Sequence, residues 1–171
     1  ITPGALVALK ISPEDISIPA GDTVEFRLSG VDAQGNRVEG ADLTPEPTWR
    51  VIGFSPESSK DHETLEPSPE DSQRRLWKPE RAGKGSIEAR WMDTQTGKIF
   101  TAQAAVQVAA GKLSSLEIQL MDNGRPQRTP LQRPYVLISG AKYALKTIGR
   151  DAFNNEIDAQ VTWNLVGNLG R

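Results

Sequence analysis

Apolar and polar residues alternate with a period of two in several short stretches of the chain. The clearest are VEFRL at 24–28, IEARW at 87–91 and the run at 100–108. Because successive side chains of a strand point to opposite faces, this period predicts β-strands with one buried and one exposed face. No stretch has sustained apolar spacing of three and four residues, so we expect at most a short helical turn and an all-β fold.

Turn residues separate these stretches. Residues 6–18 contain β-favouring runs broken by Pro13, which predicts a first strand that kinks and continues until the turn PAGD at 19–22. Further turn clusters lie at 32–36 and 93–97. The strand predicted at 48–52 carries Trp49, which we expect at the centre of the first core.

Residues 55–75 are rich in Pro, Ser, Glu and Asp and have almost no apolar side chains. Such a composition cannot bury enough apolar surface to order itself, so it predicts a long mobile acidic loop. Strands resume at Leu76-Trp77 and end near Gly111. We therefore expect an immunoglobulin-like β-sandwich over residues 1–111 that carries this loop, and a second domain over residues 112–171.

The second domain repeats the pattern of the first. Residues 140–157 align on residues 21–38 without gaps, and the identities fall mainly at turns: Gly21/Gly140, Gly30/Gly149, Asp32-Ala33/Asp151-Ala152 and Asn36/Asn155. Leu9-Lys10-Ile11 similarly matches Leu116-Glu117-Ile118, and Thr48-Trp49 matches Thr162-Trp163. Matching turns and strands predict one supersecondary plan used twice. Since Arg171 follows soon after this tryptophan, we expect the second domain to be the N-terminal part of a sandwich that is completed elsewhere.

This order of features resembles the bacterial immunoglobulin-like (Big) families. The resemblance is carried by the PAGD turn, the alternating strand, the turn Asp-Ala-x-[Gly/Asn]-Asn-x-[Val/Ile] and the Thr-Trp pair, and AGKGSIEA at 82–89 resembles the opening of a late strand in these domains. DAQGN at 32–36 resembles the invasin-like branch. The resemblance implies tandem Greek-key β-sandwiches, as found in bacterial surface proteins, adhesins and accessory regions of polysaccharide-degrading enzymes.

Composition narrows the functional classes further. The chain has 37% hydrophobic and 25% charged residues, which is typical of a globular protein, and no apolar run approaches the length of a membrane span. Residues 1–111 carry 12 Lys/Arg and 17 Asp/Glu and residues 112–171 carry 8 and 5, so neither half has the basic excess of a nucleic-acid binder. There is no cysteine and one histidine, His62, which excludes disulfides and thiolate metal sites and makes a Ser-His-Asp triad improbable. A secreted protein without cysteine is more typical of bacterial than of animal surface modules. The first residue is Ile1, which favours a processed or excised piece.

The turn clusters provide oxygen ligands of the kind that calcium binds. The candidates are Asp32, Asn36, Glu39 and Asp42 in the first copy, and Asp151, Asn155, Glu156 and Asp158 in the second. Their spacing fits no known calcium loop, and Asp and Asn are favoured in turns for local reasons. We therefore expect turns, with a metal site as the alternative, and no cofactor.

Three other groups of residues have both a functional and a structural interpretation. Trp77 and Trp91 could stack on sugars, but core packing is the expected role. The loop carboxylates could suggest glycosidase chemistry, but a mobile loop cannot position them; they are Glu57, Asp61, Glu63, Glu66, Glu70 and Asp71. The second copy has a basic, proline-stiffened excursion with Arg125, Arg128 and Arg133, which could dock on an acidic polymer or simply extend a hairpin into solvent.

The sequence thus predicts a non-catalytic structural or adhesive module of a bacterial cell-surface or secreted protein. No nucleophile–base pair, phosphate-binding glycine loop or metal cluster is recognisable in it. The expected partners are another protein or further copies of the module, with cell-surface polysaccharide as a possible ligand, and we expect neither nucleic-acid binding nor membrane insertion. The alternative is an accessory, carbohydrate-binding or positioning region of a larger secreted polysaccharide-active enzyme.

Overall fold

The computed structural model of the chain describes residues 5–38, 43–54, 65–69, 71–122, 125–126, 140 and 142–164. The chain divides into two compact units, unit 1 over residues 1–111 and unit 2 over residues 112–171. The regular structure of the described residues consists of strands without a helix, which confirms the all-β class. These residues accordingly contain no helix capable of spanning a membrane.

Eight strands are described in unit 1, and they form two four-stranded sheets. Sheet A has the order β1-β3-β6-β5, and sheet B has the order β2-β8-β7-β4. The strands are β1 (Ala8–Ser12), β2 (Asp15–Pro19), β3 (Val24–Val31), β4 (Thr48–Ile52), β5 (Glu66–Ser68), β6 (Asp71–Trp77), β7 (Gly83–Met92) and β8 (Ile99–Ala109). The inner faces of both sheets are buried and, apart from Arg75, mainly apolar, as in a β-sandwich.

The chain changes sheets between β1 and β2, at Pro13, so the predicted kinked first strand is confirmed. β1 pairs antiparallel with β3, whereas β2 pairs parallel with β8. The amide of Ala105 donates to Glu14 O, and the amide of Ala20 donates to Ala109 O. Alternate residues of a strand direct their amides to the same side. The amide of Ile16 therefore points towards β8, as the amide of Ala20 does, whereas position 19 points away. A proline at position 19 thus removes no hydrogen bond to β8.

Large side chains from sheet A pack on small ones from sheet B. Ile11, Phe26, Leu28 and Trp77 are fully buried on sheet A. Buried and exposed residues alternate over the whole of β8. Apart from Phe100, its inward residues are small: Ala102, Ala104, Val106 and Val108. Bulky residues of sheet A packed against small ones of β8 allow the two sheets to approach closely.

Trp77, and not Trp49, is the central tryptophan of this core. Trp77 is 1% exposed, and the Phe54 ring meets it edge-on at 5.3 Å between ring centroids. Trp49 is only half-buried because β4 is the edge strand of sheet B. The prediction for Trp49 was therefore wrong: an edge strand cannot surround a large ring on all sides.

The prediction of a loop over residues 55–75 was wrong at its C-terminal end. Residues 66–68 form β5 and residues 71–77 form β6, and these two strands pair antiparallel with an irregularity after Pro67. β6 also pairs with β3 across residues 74–77. Arg75 points inward from β6 and is buried. Because this inward residue is charged, the sequence of β6 lacks the alternation of apolar and polar residues that predicts a strand. Residues 55–64 and 70 lie outside the described part of the chain.

In unit 2 the described strands form one sheet, sheet C, in the order β10-β9-β11-β12. They are β9 (Ser115–Asp122), β10 (Arg125–Pro126), β11 (Ala144–Arg150) and β12 (Glu156–Ile157). Leu116 lies opposite Gly149 in sheet C, as Leu9 lies opposite Gly30 in sheet A. The turn glycines at 21 and 140 also share a positive φ, of 89° and 82°. The sequence repeat therefore corresponds to two strand pairs with the same register.

The hydrogen-bonding direction of β2 can be tested with paired proline variants. Ile16→Pro removes a donor to β8 and leaves a ladder carbonyl unpaired, so it should lower the free energy of unfolding by about 1–3 kcal/mol more than Ile16→Ala does. Ser17→Pro places the proline where the amide points away, and should cost no more than about 1 kcal/mol. Urea unfolding followed by tryptophan fluorescence measures all three; equal costs for the two prolines would contradict the assigned direction.

Candidate functional site

A buried aspartate organises the turn that follows β3. Asp32 Oδ1 accepts hydrogen bonds from the amides of Gln34 and Asn36, at 3.0 and 2.8 Å, and Oδ2 accepts one from Asn36 Nδ2 at 3.2 Å. The main chain closes the same turn, because the Asp32 amide donates to Asn36 O and the Gly35 amide donates to Asp32 O. Donors of the turn thus replace the water molecules that the Asp32 carboxylate loses on burial, as a buried charge requires.

The same turn is present after β11 in unit 2. Asp151 Oδ1 accepts from the amides of Phe153 and Asn155, at 2.9 and 2.8 Å, and Oδ2 accepts from Asn155 Nδ2 at 2.8 Å. Asn154 has a φ of 69°, at the position where the first turn has Gly35 with a φ of 81°. Asn tolerates this left-handed conformation better than other side chains, so both sequences satisfy one backbone geometry.

These contacts confirm the turn interpretation of Asp32, Asn36, Asp151 and Asn155. Glu156 lies in β12 with its carboxylate 3.7 Å from Arg150, and Asp158 is exposed beyond that strand. Among the described residues, no group of three or more acidic, His or Cys side chains is arranged to hold a metal ion. Glu39, Asp42 and His62 lie outside the described ranges.

Trp77 and Trp91 are both buried, so the packing interpretation is confirmed and neither is a sugar platform. Trp91 packs on Phe100 at a centroid distance of 5.7 Å, on the inner side of sheet B. The exposed tryptophan of the described part is Trp163 in unit 2, with half of its surface accessible.

The acidic candidates of the predicted loop do not form a catalytic pair where they are described. Glu66 lies in β5 and Asp71 begins β6; Asp71 Oδ2 is 3.3 Å from Arg74 Nε, so it belongs to a surface ion-pair group. Four more carboxylates are outside the described residues, namely Glu57, Asp61, Glu63 and Glu70. Of the three arginine candidates, Arg125 is exposed in β10, and Arg128 and Arg133 are outside the described residues.

Sequence reasoning missed a polar row across the outer face of sheet B. Glu88 is buried on β7, Arg50 Nη2 is 2.6 Å from its Oε1, and Gln103 Nε2 donates to its Oε2 at 2.9 Å. The hydrogen bonds from Gln103 and then Arg50 hold the pKa of Glu88 below its usual value, and outweigh the effect of burial, which raises it. The alternation of apolar and polar residues in β7 predicted that Glu88 points outward. Only the pairing of β7 with β4 and β8 shows that Arg50 and Gln103 lie beside it.

A second missed cluster closes the edge between the sheets. The buried Arg75 guanidinium on β6 forms an ion pair with Glu46 and lies 5.7 Å from the centre of the Trp49 ring. It also donates to Arg74 O at 2.8 Å. A planar cation can satisfy a carboxylate, a carbonyl and an aromatic face together, which a lysine cannot.

Sheet C carries an exposed apolar face. Leu116, Ile118 and Leu145 are 52%, 48% and 52% exposed, and their pairing partners place them on one side of the sheet. Their counterparts in unit 1 are Leu9, Ile11 and Phe26, which are 8%, 1% and 0% exposed beneath sheet B. Three large apolar side chains on one exposed face are typical of an interaction surface.

No protein-family model matches the sequence, and no curated protein sequence matches it. The site is therefore defined by its own geometry: two hydrogen-bonded aspartate turns, a polar row on sheet B and the exposed face of sheet C.

Removing the turn carboxylate should destabilise each unit by a similar amount. We expect Asp32→Ala and Asp151→Ala each to lower the free energy of unfolding by about 2 kcal/mol, because main-chain donors inside the turn lose their acceptor. Asp22→Ala, at an exposed aspartate of another turn, is the control and should change it by less than about 0.5 kcal/mol. Urea unfolding measures this; adding calcium to the wild-type chain should leave the transition unchanged.

Glu88 should make stability depend on pH in a defined direction. Its pKa is lowered in the folded chain from an ordinary value of 4.5, so its contribution is complete above that value and is lost as the pH falls through the folded pKa. Glu88→Gln should cost about 1–2 kcal/mol at pH 7 and clearly less at pH 3. The exposed Glu14, 2.9 Å from Lys10, offers the control Glu14→Gln, with a cost near zero at both pH values.

Proposed function

We propose that the chain is a non-catalytic structural and interaction module, built from immunoglobulin-like domains of the Big type in tandem. The repeated strand pair and the repeated aspartate turn support this proposal, because internal duplication at this level is typical of modules arranged in series. Big-type domains belong to bacterial cell-surface or secreted proteins, which makes the outside of a bacterial cell the proposed location. The role would be that of a spacer, an assembly unit or an adhesive contact.

The single observation that carries this proposal is the parallel pairing of β2 with β8. These are among the first and last strands of unit 1, and they pair over Asp15–Pro19 and Ala105–Ala109. Because they run in the same direction, the chain enters unit 1 at one end of the sandwich and leaves it at the other. A pull on the two ends of the unit therefore loads all five residue pairs in shear at once.

The partners of the buried titratable side chains support a module without catalytic activity. The buried titratable side chains discussed above, Glu88, Asp32 and Arg75, are each engaged by hydrogen bonds or ion pairs that support the fold. The alternative function is an accessory, carbohydrate-binding or positioning region of a larger enzyme, and its two candidate stacking residues, Trp77 and Trp91, are buried. We therefore favour protein partners, or further copies of the module, over polysaccharide.

Force spectroscopy can test the load-bearing role, and the absence of cysteine allows anchoring at chosen positions. Cysteines at Ala5 and Lys112 load β2 against β8 in shear, whereas cysteines at Asp22 and Lys112 pull the same two strands apart from one end. We expect the shear geometry to require a several-fold higher unfolding force, because its hydrogen bonds must break together. Equal forces in the two geometries would contradict the proposed role.

A further inference from the structure

The outer face of sheet B has apolar and cationic side chains next to each other at one end. Near the hairpin that joins β7 to β8, the outward residues of β7 are Glu88, Arg90 and Met92. Met92 lies opposite Ile99 of β8, and the two side chains are 48% and 47% exposed. Arg90, the next outward residue along β7, is exposed as well. This end of the sheet therefore offers an apolar pair beside an arginine.

Arg90 adds a positive charge to this face that no neighbouring carboxylate neutralises. Within the described part of the chain it forms no ion pair. Its neighbours across the two adjoining strands, Thr48 of β4 and Thr101 of β8, are uncharged. Residues 1–111 as a whole are acidic, with 12 Lys/Arg against 17 Asp/Glu, so the positive charge is a local feature. A carboxylate from outside would complement Arg90 without displacing an internal partner.

The polar row beside Arg90 supplies a second arginine that is already held in place. Arg50 Nη2 is 2.6 Å from Glu88 Oε1, yet 65% of the Arg50 side chain is exposed, whereas the Glu88 side chain is 9% exposed. Arg50 lies diagonally across β4 and β7 from Arg90, which is within reach of a shared ligand for such long side chains. The ion pair restricts Arg50 before binding, which lowers the entropy lost when a ligand orders it.

We call these exposed residues the hairpin-end patch; they are Thr48, Arg50, Arg90, Met92, Ile99 and Thr101. Arginine and methionine are enriched in protein–protein interfaces, whereas lysine and the acidic residues are depleted there, and the patch contains none of the depleted types. Successive outward residues of a strand are about 7 Å apart. A ligand that contacts both the arginines and the apolar pair must therefore carry a carboxylate and an apolar group at this separation. An extended peptide does so with residues two positions apart, whereas an acidic polysaccharide has no apolar side chains.

We propose that the hairpin-end patch binds an extended acidic segment of a partner protein. A carboxylate of the segment pairs with Arg90 and Arg50, and an apolar side chain two residues along packs on Met92 and Ile99. The charges provide orientation and the apolar contact adds affinity. This inference rests on the proposed function, since it names the kind of partner that the interaction module binds.

Three synthetic dodecapeptides test this inference with the full chain. They consist of three repeats of Glu-Ser-Leu-Ser, of Gln-Ser-Leu-Ser or of Glu-Ser-Ser-Ser. The first should bind about fivefold more tightly than either of the others, because each control lacks one of the two contacts. Titration of the isotope-labelled chain followed by nuclear magnetic resonance gives the affinities, and the shifted amides should include those of Arg90, Met92 and Ile99. Polygalacturonate, an acidic polysaccharide, should not compete with the first peptide.

Variants of the chain then locate the site. Arg90→Glu should remove the preference for the glutamate peptide over the glutamine peptide. Lys84→Glu is the matched control, because Lys84 is exposed on the same strand and its side chain lies about 20 Å along β7 from that of Arg90. Ile99→Ser should lower the affinity for the first peptide to that for the Glu-Ser-Ser-Ser peptide. Urea unfolding should show that all three variants fold, because the replaced side chains are exposed.

Three results would each overturn the inference. They are absence of binding or equal affinities for the three peptides, a preference for glutamate that survives Arg90→Glu, and competition by polygalacturonate that depends on Arg90. The last result would assign the patch to an acidic polysaccharide instead of a protein. The force measurement concerns the pairing of β2 with β8 and uses no ligand, so failure of the proposed function would be recognised separately.

Discussion

A sheet with one apolar face is stable in water only when that face is covered, and this constraint governs both units. In unit 1, Ile11 and Phe26 on sheet A lie beneath β8 of sheet B, and the small side chains of β8 allow the sheets to approach closely. The chain crosses from one sheet to the other between β1 and β2, so both sheets are held from the first strand onward. In unit 2, the equivalent apolar residues of sheet C are exposed. The same strand pair is therefore buried in unit 1 and exposed in the described part of unit 2.

The aspartate turns explain how unit 2 keeps the register of unit 1 despite this exposure. Asp151 satisfies its carboxylate with donors from the next four residues, so the turn needs no contact with a second sheet. Local hydrogen bonds of this kind favour the turn in any tertiary context. The turn directs residues 156–157 back along β11, where they pair with Gly149 and Arg150.

Local patterns were predictable from the sequence, and positions that depend on tertiary neighbours were not. The alternation at 24–28 and 87–91 corresponds to β3 and β7, and Asp32 forms the predicted turn. β6 was missed because its inward residue Arg75 is charged, and only the three-dimensional contacts with Glu46 and Trp49 explain its burial. Gly85 lies in β7, where a Cβ atom would come within 2.2 Å of Ile52 O and 2.4 Å of the Phe54 ring, and only the packing shows why this strand position is a glycine. The sequence contains no sign that Trp49 lies on an edge strand and Trp77 on an inner one.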